Sequence, residues 1–202
     1  MNKGLLIVIS GPAGSGKGTV NAHLLNTGDY VYSVSATTRA PRPGEVNGKN
    51  YHFITREEFI RRIENGEMLE YTEYCGNFYG TPLKEAEEVL ASGKNLILEI
   101  EVEGAANVKR LYPEAVLILL LPPSFSVQEA RLRGRGTETE EKINERLTRT
   151  REEIAIADFY DYLVINRDGK DTEAAEDIQS IVRSEVLALK RDRSALDRYF
   201  DN

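Results

Sequence analysis

The sequence predicts an α/β fold: a parallel five-stranded sheet flanked by helices, with an inserted mixed lobe and a helical lid. Three observations carry this reading. Apolar runs of strand length at residues 5–9 (LLIVI), 95–100 (NLILEI) and 115–121 (AVLILLL) show little polar alternation, as strands buried on both faces do. Helical patterns separate these runs, which suits parallel strands joined by helical crossovers. Residues 34–81 break the alternation with a Pro- and Gly-rich loop and a hairpin pattern, and read as an insertion.

Each element follows from local sequence. The first strand, residues 5–9, runs into a turn at 11–16, and a helix follows over about 17–26. Residues 30–35 read as a second strand. Residues 36–50 (ATTRAPRPGEVNGKN) are rich in Pro, Gly and charge and read as a loop that a ligand orders. Thr55 and Glu58 form a capping box for a helix through Asn65. Residues 68–74 and 78–81 flank the turn Cys75-Gly76-Asn77 as a hairpin. Pro82 suits the first position of a helix that stops at Gly93. Strands at 95–100 and 115–121 enclose a helix at 104–112. The arginine-dense residues 131–151 read as two helices around a short loop. A strand at 162–166 and a helix from 172 to about 190 complete the pattern. One domain, 1–202, thus divides into a core of about 1–33, 82–125 and 155–202, a lobe of about 34–81 and a lid of about 126–154.

Composition narrows the function. The 202 residues carry 26 Lys and Arg against 33 Asp and Glu, a net charge of −7, with a pI near 5.1. That balance argues against a general nucleic-acid or anionic-membrane partner, so any anion must meet a local basic cluster. The single cysteine, Cys75, allows no intrachain disulfide and suits a reducing, cytoplasmic setting. With only His23 and His52 beside it, a zinc cage is not expected. No apolar stretch has membrane-spanning length.

The strongest motif is Gly11-Pro12-Ala13-Gly14-Ser15-Gly16-Lys17-Gly18-Thr19. It matches G-x-x-x-x-G-K between a strand and a helix, the context that marks a phosphate-binding loop. Its glycines let backbone N–H groups crowd phosphate oxygens at a helix N-terminus, and Lys17 can reach the β- and γ-phosphates of ATP. The Ser or Thr usual after the lysine is Gly18 here, and the hydroxyl comes one residue later, at Thr19. Mg2+ is therefore expected to arrive with ATP, held mainly by phosphate oxygens and water, with Thr19 as the loop's candidate ligand.

Further runs extend the pattern: residues 33–51 (SVSATTRAPRPGEVNGKNY), Glu70, residues 77–81 (NFYGT), 98–101 (LEIE) and 131–139 (RLRGRGTET). Together, in order over nearly the whole chain, they closely resemble the guanylate kinase family in its single-domain bacterial form. The resemblance implies a P-loop nucleotide kinase moving the γ-phosphate of ATP to GMP. It implies that Arg39, Arg42, Tyr51 and Tyr79 hold the GMP phosphate, with Ser35 and Glu45 beside them. Glu70 and Thr81 would read guanine, a carboxylate facing its two N–H donors and a hydroxyl facing O6. Glu101 would approach the guanine amine, and Glu99 would lie nearer the metal or phosphates. The family commonly has aspartates at these two positions. Lys17, Arg135 and Arg146 would neutralise the transferring phosphoryl group, with Arg146 also facing GMP. Arg131 and Arg135 would hold ATP phosphates and Asn166 would contact adenine. Arg133 and Arg149 read as a solvated helix face paired with nearby glutamates.

Two guanidinium forks and two phenols suit a phosphate dianion. Adenine presents an acceptor where guanine presents N1–H, so it would meet Glu70 lone pair to lone pair. A non-catalytic scaffold module of the same fold is disfavoured by the intact loop, Lys17 and the lid arginines. A kinase for another monophosphate is disfavoured by Glu70, Thr81 and the loop from Arg39 to Tyr51. A GTPase switch would need an Asn-Lys-x-Asp run, which is absent. The expected partners are ATP and GMP, with dGMP, and the choice between monomer and homo-oligomer, left open.

Overall fold

The structure, a computed structural model, describes residues 3–74, 76–134, 136, 139–192, 196 and 199. Its elements are β1 (Leu6–Ser10), α1 (Lys17–Leu25), β2 (Tyr30–Tyr32), β3 (Ala36–Thr37), β4 (His52–Phe53), α2 (Arg56–Glu64), β5 (Met68–Tyr74), β6 (Asn77–Pro82), α3 (Leu83–Ala91), β7 (Asn95–Leu98), α4 (Val102–Leu111), β8 (Val116–Leu121), α5 (Phe125–Gly134), α6 (Glu140–Ala155), β9 (Tyr162–Ile165) and α7 (Asp171–Val186). Five strands form a parallel sheet in the order β2-β7-β1-β8-β9. Four form a second, mixed sheet in the order β4-β3-β6-β5.

The central strands explain the missing alternation. Ile7 and Ile9 pack with Val20, Leu24 and Ile178 in one layer, against α1 and α7. Leu6 and Val8 pack with Leu98, Ala105 and Val108 in the other. Each side chain taken out of water this way contributes roughly 1.5–3 kcal/mol, so both faces select apolar residues. The carboxyl ends of β1 and β7, where ligands meet such sheets, carry the phosphate loop and Glu99.

Several boundaries differ from the sequence reading. The second strand ends at Tyr32 rather than at residue 35, because the backbone changes partner there. The Ser33 N–H still donates to the Ile97 carbonyl (2.9 Å), but the Ser35 carbonyl already accepts from His52 N–H (2.9 Å) in the other sheet. The expected loop 36–50 accordingly opens with β3. The strand 95–100 stops at Leu98, so Glu99 and Glu101 stand beyond its end, with Glu101 capping α4 by position. The capping box is half formed: Thr55 accepts from the Glu58 N–H (3.2 Å), but the Glu58 carboxylate takes Arg61 and Arg62 (each 2.8 Å). Pro82 closes β6 and sits one residue before α3. The hairpin pairs Tyr74 with Asn77; Cys75 lies outside the described residues. The last helix ends at Val186, after which Lys190 and Arg191 fold back onto Glu185 (3.2 and 2.7 Å).

Candidate active site

A cleft of about 1020 Å³ opens between the two sheets and α6. The phosphate loop forms one wall. Two of its glycines are needed for space. A Cβ on Gly11 would lie 2.1 Å from the Leu120 carbonyl oxygen of β8, and one on Gly16, at φ +91°, would lie 2.2 Å from Asn166 Nδ2. Lys17 opens α1 and folds over the loop, its Nζ donating to the carbonyls of Gly11 (2.6 Å) and Pro12 (3.4 Å). Gly18 and Thr19 are exposed beside it, while Pro12 and Ser15 are buried beneath the cradle.

The opposite wall comes from the second sheet. Arg39 forms a two-pronged pair with Glu45 (3.0 and 2.9 Å), and Glu45 also accepts the Arg42 N–H (2.7 Å). Those contacts, Arg39's first, hold the Glu45 carboxyl below its ordinary range. Glu45 thus holds the Arg39 side chain and the Arg42 backbone. The Arg39 guanidinium lies 5.5 Å from the Tyr51 ring centre, and Tyr51 meets Tyr79 edge-on at 6.1 Å. Ser35 and Arg42 line the same wall.

Glu70 forms the floor. It stands opposite Thr81 in the β5–β6 register and is 3% exposed. Burial pushes its carboxyl up to about 7, against hydrogen bonds from the Thr81 side chain and backbone that pull it down. The Thr81 hydroxyl, expected to face a base, donates to Glu70 Oε1 (2.8 Å) and lies fully buried behind it. Glu70 Oε2 approaches Gly104, whose added Cβ would sit 3.4 Å away.

Beyond β7, Glu99 Oε2 accepts from Asn21 Nδ2 (2.8 Å) and the Tyr32 hydroxyl (3.1 Å). Burial, then the Glu99 charge, raises the Tyr32 phenol well above its usual value. Glu101 lies 3.7 Å from Arg149 on α6, and Arg149 donates to Glu153 (2.8 Å). Arg149 is therefore a cleft residue, correcting its reading as part of a solvated face: its turn of α6 points at the β7 end. Arg133 does pair with Glu129 and Glu140 in solvent. Arg146 lines the cleft. Arg135 lies outside the described residues.

Arg131 and Asn166 stand behind the phosphate loop rather than in the main cleft. Arg131 donates to the Asn166 carbonyl (2.8 Å), the Gly14 carbonyl (3.2 Å) and Asp168 (2.6 Å). Asn166 Nδ2 donates to the Ser15 carbonyl (2.9 Å). Both border a smaller cleft of about 330 Å³ with Thr19 and Asp171. Sequence reasoning missed Tyr32, Asn21 and Glu153. The only signal for Asn21 is a polar residue on the inward face of α1.

The comparisons with known proteins agree with one another. The family model described as guanylate kinase matches residues 3–185. The chain is 53% identical over 192 residues to a guanylate kinase of Shouchella clausii, covering 95% of this chain and 92% of that protein. It is 51% identical over 191 residues to one of Streptococcus thermophilus, covering 94% and 90%. A crystal structure of guanylate kinase from Anaplasma phagocytophilum superposes with a TM-score of 0.75 at 36% identity, over 95% of this chain and 90% of that one.

Proposed function

Because the chain belongs to the guanylate kinase family and so transfers the γ-phosphate of ATP to GMP, giving ADP and GDP, we propose how its residues divide that work. The observation that carries the proposal is the single cleft in which Lys17 and the phosphate loop face Arg39, Arg42, Tyr51, Tyr79 and Glu70. Residues 11–19 hold the ATP phosphates, and the smaller cleft beside Asn166 takes the adenosine end. The second sheet is the GMP lobe and α5 with α6 the lid. Arg39, Arg42 and the two tyrosines bind the GMP phosphate, with Glu45 positioning both arginines. Glu70 accepts from the guanine base. A phosphate oxygen of GMP is ionised near neutral pH, so no general base is required and positioning plus charge neutralisation carry the rate. Lys17 and Arg146 supply that charge, with Arg135 by family resemblance. A coupled ADP-release assay with ATP and each nucleoside monophosphate tests this: turnover with GMP supports it, and turnover with another monophosphate alone overturns it.

The donor set fits Mg2+ carried in by ATP. Among the described residues, no three His, Cys, Asp or Glu side chains gather into a cation site, and Gly18 offers no hydroxyl. Thr19 is exposed at the cleft, and Glu99 has one oxygen occupied by Asn21 and Tyr32. Thr19 and Glu99 are thus the candidate protein contacts to a largely hydrated ion. The ion would lower the charge of the phosphate oxygens. Thr19→Ala is expected to reduce kcat less than Lys17→Ala does, at saturating Mg2+. Equal losses in folded protein would make Thr19 a direct ligand.

Reaction without wasteful hydrolysis needs water excluded from the cleft. GMP and an unreactive ATP analogue together should compact the protein more than either alone, because each ligand draws one wall over the phosphates. Small-angle scattering checks this, and identical profiles for free and doubly bound protein would contradict it. No helix among the described residues is long and apolar enough to cross a membrane. The single cysteine supports a reducing, cytoplasmic setting.

A further inference from the structure

The phosphate loop is held from behind by three side chains that bond three successive carbonyls, with Arg131 also reaching the Ser15 carbonyl (3.5 Å). Gln128 Nε2 donates to the Ala13 carbonyl (2.9 Å), Arg131 to Gly14 (3.2 Å) and Asn166 to Ser15 (2.9 Å). In a planar trans peptide, a carbonyl and the next N–H point in opposite directions. Turning these carbonyls backwards therefore turns the N–H groups of Gly14, Ser15 and Gly16 forwards. The Ser15 N–H is used inside the loop, on the Pro12 carbonyl (3.1 Å), so Gly14 and Gly16 remain to meet a phosphate.

Gln128 does more than brace. It is 1% exposed on α5, and its amide nitrogen also donates to Thr150 Oγ1 (2.8 Å), itself 2% exposed on α6. The Thr150 hydroxyl donates to the Arg146 carbonyl (2.9 Å), one turn earlier. The polarity of this chain is forced. The Ala13 carbonyl can only accept, so the NH2 of Gln128 must face it. Thr150 then accepts from that NH2 and keeps its own proton for Arg146. Leu132, Ile143 and Leu147 pack with Ala13 around the chain.

We infer that Gln128 and Thr150 are positioning residues for phosphoryl transfer, a buried amide–hydroxyl relay that sets the Ala13 peptide of the phosphate loop in register with the turn of α6 that carries Arg146. The inference rests on residues 11–19 holding the ATP phosphates. Through the relay, the Ala13–Gly14 peptide is tied to the backbone of the α6 turn from which the Arg146 side chain projects. Neither Gln128 nor Thr150 need touch a ligand.

Two variants test it. Gln128→Met keeps length and removes the NH2. Gln128→Leu with Thr150→Val removes amide and hydroxyl together, leaving no orphaned side chain, and is the variant expected to remain fully folded. Calorimetric titration should show ATP binding weakened about fivefold to tenfold in both, with kcat falling at least as far and GMP affinity within about twofold of the parent. The Gly14 amide resonance of ligand-free protein should move, and Thr150→Ser, which keeps the hydroxyl, should behave as the parent. ATP affinity and kcat within about twofold of the parent in folded double variant would overturn the relay. So would equal weakening of ATP and GMP, which marks general loosening. Lys17→Ala titrated in parallel separates the two levels: unchanged ATP affinity there sinks the reading of the loop itself.

Discussion

Lys17→Ala is expected to lower kcat by at least about 10³-fold while the protein stays folded, since a cation aimed at the transferring phosphoryl group is worth that much or more in such reactions. The fold should survive because Lys17 sits at the first turn of α1, partly exposed. Its hydrogen bonds go to the carbonyls of Gly11 and Pro12, and Gly11, the nearer acceptor, borders the cleft, where water can replace the ammonium. Strands β1 and β8 and the layer around Ile7, Ile9 and Val20 do not depend on it. In the free protein those two carbonyls hold the ammonium over the loop. ATP must draw it off, exchanging neutral acceptors for phosphate oxygens, a stronger charge-assisted bond. The measurement is steady-state kcat beside a thermal melt of the same sample. Near-parental kcat, or loss of the melt, would each remove Lys17 from the mechanism as described.

The fold was legible where one residue type answers one physical demand. β1 needed apolar residues on both faces, and the loop needed glycine at Gly11 and Gly16, where a Cβ would strike backbone or Asn166. The lobe was legible as a hairpin because turn residues separate two strand-like runs. Contacts between residues distant in sequence were not legible. Glu99 reaches Asn21, 78 residues away, and Tyr32, 67 away, and nothing local to α1 or β2 announces a carboxylate partner. Arg149 looked solvated because its helix neighbours are glutamates, yet Glu101 comes from the far side of the cleft. Arg131 and Asn166 read as ligand contacts, and the sequence did not show that they also bond the Gly14 and Ser15 carbonyls from behind the loop. The direction of the Thr81 proton depends on the cross-strand position of Glu70, which only the β5–β6 register sets.

That register leads to the largest expected effect, the choice of base. GMP should exceed AMP in kcat/KM by roughly 10⁴-fold, because a site built on buried hydrogen bonds rejects a ligand that leaves them unmade. Glu70 is buried, and in the free protein Thr81 provides hydrogen bonds to the carboxylate. The donors of guanine would complete its pairing, whereas adenine would present an acceptor. IMP keeps N1–H but lacks the amine and should fall between, losing about 1–3 kcal/mol. Thr81→Val should lower GMP turnover by removing a donor from Glu70. Acid gives the sharper test. The folded pKa of Glu70 is raised to about 7, above its ordinary value of 4.5. Its contribution to the stability of the free protein is therefore full below that ordinary value and lost as pH rises through about 7. Binding of GMP runs the other way. It needs the ionised carboxylate, so kcat/KM for GMP should fall up to about tenfold per pH unit below that pKa. A neutral Glu70 carries an O–H that can donate to the adenine acceptor, so AMP should not share the fall. Both monophosphates carry the same phosphate, whose titration cancels in the ratio of their kcat/KM values. The GMP-to-AMP ratio measured from about pH 5.5 to 8 should rise, bend near 7 and level off above it. Glu70→Gln should flatten that curve and lower its plateau. A ratio independent of pH in the parent, or one that still bends in Glu70→Gln, would place the base-reading group elsewhere.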